Sequence, residues 1–220
     1  MNKDFSIQEA IRTGWKLFKA NAVFLIALFV AMAMVQGILY LRPPSAILAA
    51  LMTLVSVIVS AIISLGFTRI MLDVVDGVPL APERFFKPMR SFFSYILACL
   101  IGGIAVVFGL ILLIVPGIII ALAISFFKFL IVDRQLGPIA SLKESWAITK
   151  GVRLTLLGFY IVLGLLNLAG LLALGIGLLV TMPVSSIACA YVYRKLAGGV
   201  PTVPLVRTTL SPTLPTTPTS

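Results

Sequence analysis

Long stretches of uncharged, apolar residues constrain this chain more than anything else in it. Ala22 to Leu41 and Ser45 to about Ile70 are two such stretches, separated by Arg42, Pro43 and Pro44. Phe92 to Val132 follows with Lys128 as its one charge, and Leu154 to Val192 has none. At 1.5 Å per residue the last two are each long enough for roughly two crossings of a bilayer core about 30 Å thick. Lipid offers no partners to free backbone groups, so such stretches must fold as helices.

The expected fold is therefore all-α: a polytopic integral membrane helical bundle of six transmembrane helices in three hairpins, with interfacial amphipathic helices. The spans are placed at about 22–41, 45–70, 92–114, 117–132, 154–173 and 177–194. Proline lacks the backbone donor and restricts the residue before it, so Pro43 and Pro44 end the first span. Val115-Pro116-Gly117 and Gly175 with Gly177 mark the other two reversals. Pro183 falls inside the sixth span, where neighbouring helices can satisfy the carbonyl it frees.

Residues 1–21 read as an interfacial amphipathic helix. Ser6 is its cap, Ile7, Ile11, Trp15 and Phe18 form one face, and Gln8, Glu9, Arg12, Lys16 and Lys19 cover the other. Residues 133–153 repeat the pattern, with Ile139, Leu142 and Trp146 opposite Lys143, Glu144 and Lys150. Ile11, Arg12, Trp15, Leu17 and Lys19 align with Leu142, Lys143, Trp146, Ile148 and Lys150, each set preceding a hairpin. A repeat would explain this, but basic and aromatic anchors at the start of each hairpin predict it alone and are the preferred reading. Leu72 to Ser91 is polar enough to be a loop. Spans and linkers make one membrane domain over 22–196, and 197–220, rich in Pro, Thr and Ser, reads as a disordered tail.

Charge sets the orientation. The formal net charge is +10, and the 17 Lys and Arg residues gather at the ends of the apolar stretches, not in a stripe suited to nucleic acid. Arg42 alone falls in an outer loop, so both termini are expected in the cytoplasm. The implied partner is the bilayer itself, through anionic inner-leaflet lipids, each nearby cation gaining about 1 kcal/mol. A second copy of the chain or another membrane protein is the other expected partner, and no nucleic acid is.

No catalytic constellation is present. The sequence has no histidine, and its acids, Asp4, Glu9, Asp73, Asp76, Glu83, Asp133 and Glu144, lie in interfacial segments where solvated loop charge explains them. No HExxH, Walker-type loop or nucleophile elbow occurs. Catalytic, metal and cofactor sites are accordingly all expected to be absent, and Cys99 and Cys189 read as small apolar residues inside spans.

The polar residues that do enter the spans are Ser56, Ser60, Ser64 and Thr68, at four-residue spacing on the second helix, and Asn167 on the fifth. They suit either a path for a neutral solute or helix packing by hydrogen bonds across a seam, and the second use is the commoner. Ala169, Ala173 and Gly177 make a similar small-residue line. No carboxylate sits at mid-membrane depth, which argues against proton coupling.

From about Asp73 to Lys195 the chain resembles bacterial membrane proteins of the YciC type and the membrane domain of some glycerophosphoryl diester phosphodiesterases. The resemblance rests on Gly77, Glu83 and Phe85, on Val115-Pro116-Gly117, on Phe126-Phe127 and Asp133, and on Gly137 through Trp146 with Thr149-Lys150-Gly151. It implies a multi-pass protein of the bacterial cytoplasmic (inner) membrane. It does not carry over phosphodiesterase activity, which belongs to a separate soluble domain in those proteins. Within the resemblance, Ser145, Trp146 and Asp133 are the candidates for a functional surface on the inner face, with interfacial anchoring as the plainer use of Ser145 and Trp146. The function expected is non-enzymatic, in structure, assembly or lipid organisation, with transport of a small neutral or lipid-like solute as the alternative.

Overall fold

The structure, a computed structural model, describes residues 5–39, 45–173, 175 and 177–198. The Arg42-Pro43-Pro44 turn and the tail beyond Gly198 lie outside them. All regular structure among the described residues is helical: α1 Ile7–Ala20, α2 Ala22–Leu39, α3 Ala46–Val75, a 3-10 segment Pro82–Ser91, α4 Phe92–Leu112, α5 Ile114–Ala123, α6 Phe127–Arg134, α7 Pro138–Ile148, α8 Arg153–Leu172 and α9 Leu178–Leu196.

Five stretches are long and apolar enough to cross a membrane: Ala22–Leu39, Ala46–Val75, Pro82–Leu112, Ile114–Arg134 and Arg153–Leu172. They carry many large exposed apolar side chains, among them Ile47, Leu54, Phe108, Ile111, Leu165 and Leu172. A soluble monomer rarely leaves so much apolar surface contiguous, whereas lipid accepts it. These helices suit a membrane-embedded protein. The helix expected as a sixth span, α9, does not meet the same apolar standard. It holds Ser185, Ser186, Arg194 and Lys195, and Ile187, Ala188, Ala190, Val192 and Tyr193 on it are buried by protein.

Burial is uneven along α3. At 30 residues it is about 45 Å long, more than the hydrocarbon core needs. Its first half is largely exposed, and its buried positions run from Ala61 to Val75. The loop expected over Leu72 to Ser91 is corrected here: α3 continues through Val75 because Leu72, Val74 and Val75 are buried against the core, and residues 82–91 wind as a 3-10 helix.

The amphipathic α1 is capped as expected, the Ser6 hydroxyl accepting the Glu9 amide at 3.4 Å. Its buried positions, however, are Ala10, Gly14 and Phe18, while Trp15 stays 45% exposed. Instead of floating in the headgroup layer it is docked on α9. A Cβ at Gly14 would meet the Val184 carbonyl oxygen at 2.8 Å.

Two hairpins close by the same device. A Cβ on Gly117 would fall 2.5 Å from Leu110 side-chain atoms, and one on Gly109 would fall 3.0 Å from the Gly117 Cα, so α4 and α5 meet backbone to backbone. The chain reverses at Leu113, which is extended at φ −164, ψ 144, and not at the Val115-Pro116-Gly117 triplet. Pro116 falls in the first turn of α5, where a missing amide leaves no helical bond unmade. Between α8 and α9, a Cβ on Gly177 would fall 2.5 Å from the Gly170 carbonyl oxygen.

Candidate functional site

The serines and threonine predicted along α3 do not act as one ridge. Ser56 donates to the Thr53 carbonyl at 2.7 Å, within its own helix. Ser60 joins α2, where Gln36 Nε2 donates to its hydroxyl at 3.0 Å. Ser64 accepts from the Tyr95 hydroxyl of α4 at 2.9 Å. Thr68 turns back on the Ser64 carbonyl at 2.7 Å. Asn167 of α8 accepts from Ser185 of α9 at 3.4 Å. Helix α3 is thus bonded through side chains to α2 and α4, and α8 to α9. Sequence reasoning missed Gln36, Tyr95 and Ser185, since their partners lie 18 to 31 residues away along the chain, on another helix.

Two cavities adjoin this seam. One of about 330 Å³ is lined by Thr68, Lys128, Tyr160, Asn167 and Ser185, and one of about 400 Å³ by Gln36, Ser60, Ser64, Asn167 and Ser186. Lys128 therefore faces a cavity wall, its ammonium 5.4 Å from the Phe129 ring centre.

The strongest electrostatics lie where α3, α6 and α9 end. Asp73 is fully buried, not solvated as expected for a loop acid, and is gripped by Arg84 through Nε at 2.8 Å and Nη2 at 3.1 Å, with Arg69 one turn earlier at 3.1 Å. A buried carboxylate left alone would be strongly disfavoured, and the planar guanidinium fork supplies the compensating charge and bonds. Arg194 joins two more acids: Nε is 2.8 Å from Asp76 Oδ1, and Nη1 is 2.7 Å from Asp133 Oδ2. The Tyr193 hydroxyl donates to the same Asp133 oxygen at 2.8 Å. Glu9 of α1 accepts from Tyr191 at 2.6 Å and Lys195 at 2.9 Å, and these two bonds, Lys195 foremost, hold its carboxyl below the ordinary value of 4.5. Asp133 is therefore a clamp between α6 and α9.

Ser145 and Trp146 part company. Ser145 is fully buried, which corrects its expected place on an inner-face surface. Its hydroxyl donates to the Ala123 carbonyl at 2.8 Å and accepts the Phe126 amide at 3.2 Å. Thr149 has the Ala123 carbonyl within reach at 3.2 Å, though its one hydroxyl proton has a shorter contact with the Ser145 carbonyl at 2.8 Å. These bonds serve the break between α5 and α6, where helical pairing lapses inside an apolar stretch and side chains must take over. Trp146 is 42% exposed, and its ring lies 4.3 Å from the Arg153 guanidinium, as an interfacial anchor would. The buried face of α7 is Ser141, Ser145 and Ile148, so the apolar face of Ile139 and Trp146 points outward. Among the described residues, no three His, Cys, Asp or Glu side chains are grouped to hold a metal ion.

Residues 49–216 match the model of a family described as a domain of unknown function, DUF7847. The chain belongs to this family. DUF7847 thus takes in α3 to α9, the clamp at Asp133 and Arg194, and the broken helix that Ser145 serves. Two curated relatives are the "Uncharacterized protein Rv2560" of Mycobacterium tuberculosis and the "Uncharacterized protein Mb2590" of Mycobacterium bovis, each 32% identical over 129 residues. The match covers 58% of this chain and 39% of each relative, so the chain spans well under half the length of these relatives. No solved structure matches it. An uncharacterised bacterial family is what these matches support, and the YciC-type or phosphodiesterase membrane-domain assignment goes beyond them.

Proposed function

We propose that this chain is a non-enzymatic protein of the bacterial cytoplasmic membrane that serves as a structural and lipid-organising scaffold. It crosses six times, with α9 as the sixth span and both termini inside, in the manner of the YciC-type proteins it resembles. At 19 residues α9 is about 28 Å long, which suffices for a crossing. Its hydroxyls Ser185 and Ser186 bond within the protein, to Asn167 and to the Met182 carbonyl.

The observation that carries the scaffold reading is the mutual commitment of the polar side chains between helices. Gln36 is spent on Ser60, Tyr95 on Ser64 and Ser185 on Asn167. Near the helix ends Asp73, Asp76 and Asp133 are held by arginines. Groups used in this way stiffen a bundle and leave little to bind or relay a passing ion. Cations such as Arg12, Lys16, Lys87 and Arg90 make no ion pair with a carboxylate among the described residues and are available to anionic lipid.

A second reading, transport of a neutral solute, is favoured by the two adjoining cavities, which share Phe67, Asn167, Ser185 and Ser186. Reconstitution into liposomes separates the two. The scaffold reading expects no solute flux above protein-free vesicles, and crosslinking in native membranes that captures one defined partner. Flux that is lost on changing Ser60 and Asn167 to Leu, with folding intact, would establish transport instead.

A further inference from the structure

The 3-10 segment Pro82–Ser91 repeats every three residues, so side chains three apart eclipse one another and the segment presents three distinct faces. Pro82, Phe85, Pro88 and Ser91 make one, with Pro88 and Ser91 buried and Phe85 set against Gly66 of α3. Arg84, Lys87 and Arg90 make the second. The third begins with the exposed Glu83 and continues with Phe86 and Met89, which are 60% and 45% exposed, and Phe93 follows at 83%. A cationic face thus runs beside an exposed apolar one.

Arg84 is occupied by Asp73, but Lys87 and Arg90 have no carboxylate partner among the described residues. They line a recess of about 630 Å³ together with Arg69, Arg134, Asp133 and Gln135. Its one acid, Asp133, is already neutralised by Arg194 and bonded by Tyr193. Arg69 adds an unspent donor, since its Nε is buried and makes no hydrogen bond among the described residues. Arg69 is otherwise held by Asp73, and Arg134 by Glu144 and the Ala197 carbonyl, so Lys87 and Arg90 are the two cations of the recess without a carboxylate, facing a space whose only acid is satisfied from elsewhere. An anion with several acceptor oxygens would compensate these two, and a phosphate matches their guanidinium and ammonium donors.

We infer that this recess binds one phosphate group, that of an anionic phospholipid whose acyl chains lie along Phe86, Met89 and Phe93. The inference rests on the lipid-organising reading above and gives it a defined site. A free phosphate would use the same donors but would gain nothing from the exposed apolar face, which a lipid covers.

The test uses the full chain purified in a non-ionic detergent, with native mass spectrometry counting retained lipid after addition of phosphatidylglycerol or phosphatidylcholine. Expected is one retained phosphatidylglycerol and no retained phosphatidylcholine. The K87Q/R90Q variant lowers that retention about tenfold or more, while K143Q/K150Q, which removes equal charge from α7 and the residues just after it, leaves it unchanged. Circular dichroism and gel filtration confirm folding, and single K87Q and R90Q variants, each with an intermediate loss, stand in if the double variant misfolds. Retention unaltered in K87Q/R90Q, or lowered equally by both double variants, overturns the site in favour of diffuse attraction. A rise in thermal midpoint with inorganic phosphate that depends on Lys87 and Arg90, without retained phosphatidylglycerol, overturns the lipid as occupant. Solute flux in liposomes would remove the scaffold reading while leaving a measured headgroup site standing, so the two failures are distinguishable.

Discussion

Arg194 lies 2.7 Å from Asp133, a contact between residues 61 positions apart that ties the end of α9 to the end of α6. The other edge of the same guanidinium holds Asp76, at the end of α3. One side chain therefore fixes three helices. Replacing Arg194 by Gln leaves two partly buried carboxylates facing each other and should destabilise the protein by about 2–3 kcal/mol, somewhat below the loss for a fully buried pair. Arg194→Lys should recover only part of this, because an ammonium cannot fork to two acids. Thermal unfolding in detergent measures both, and equal stability of Arg194→Gln and the parent would refute the clamp.

Ser145→Ala removes the acceptor of the Phe126 amide in the break between α5 and α6. The Thr149 hydroxyl can turn its one proton from the Ser145 carbonyl at 2.8 Å to the Ala123 carbonyl at 3.2 Å, so the orphaned group is chiefly the amide, and the expected loss is about 1–3 kcal/mol. The double variant S145A/T149V, which strips the carbonyl as well, should lose more than Ser145→Ala alone. Denaturant unfolding in mixed micelles checks the order of the two.

Gly117→Val would set a branched side chain where even a Cβ falls 2.5 Å from Leu110. The hairpin of α4 and α5 cannot then close, and the variant should fail to give a monodisperse peak on gel filtration. Gly37→Ala is the control, because nothing lies within 4 Å of a Cβ there.

Glu9 gives the pH dependence its sign. Its carboxyl is held below its ordinary value of 4.5 by Lys195 and Tyr191, so its contribution to stability is complete above that value and is lost as pH falls through the lower, folded one. The parent should therefore unfold at a higher temperature than Glu9→Gln at neutral pH, and the gap should narrow as the medium is acidified below 4.5. A gap that widens on acidification would show that the Lys195 contact is not what holds α1 on α9.

The lengths of the apolar stretches and the Ser6 cap were legible because span length and cap chemistry are local. The docking of the amphipathic helices on protein was not. Periodicity located the apolar faces of α1 and α7, and Ile139 and Trp146 stay exposed as a lipid-facing interfacial face requires, but it gave no sign that the small residues Ala10, Gly14, Ser141 and Ser145 turn toward protein and dock these helices. Asp73 looked like solvated loop charge because its partner Arg84 lies across a non-helical connection 11 residues on. The Ser145 and Thr149 pair did carry a signal, two hydroxyls one helical turn apart, but the carbonyl they serve lies more than 20 residues earlier in the chain.

The central claim is that the helices are threaded through lipid, with the clamp at Asp73, Asp76, Asp133 and Arg194 on the cytoplasmic side. Cysteine labelling in intact cells tests it most directly, in a background with Cys99 and Cys189 changed to Ala. Leu113→Cys, at the reversal between α4 and α5, should react with a membrane-impermeant maleimide added to intact cells with a permeable outer layer. Pro79→Cys, in the connection after Asp76, should react only once the cytoplasmic membrane is opened. Labelling of Pro79→Cys in intact cells, or protection of Leu113→Cys until they are opened, would contradict the account.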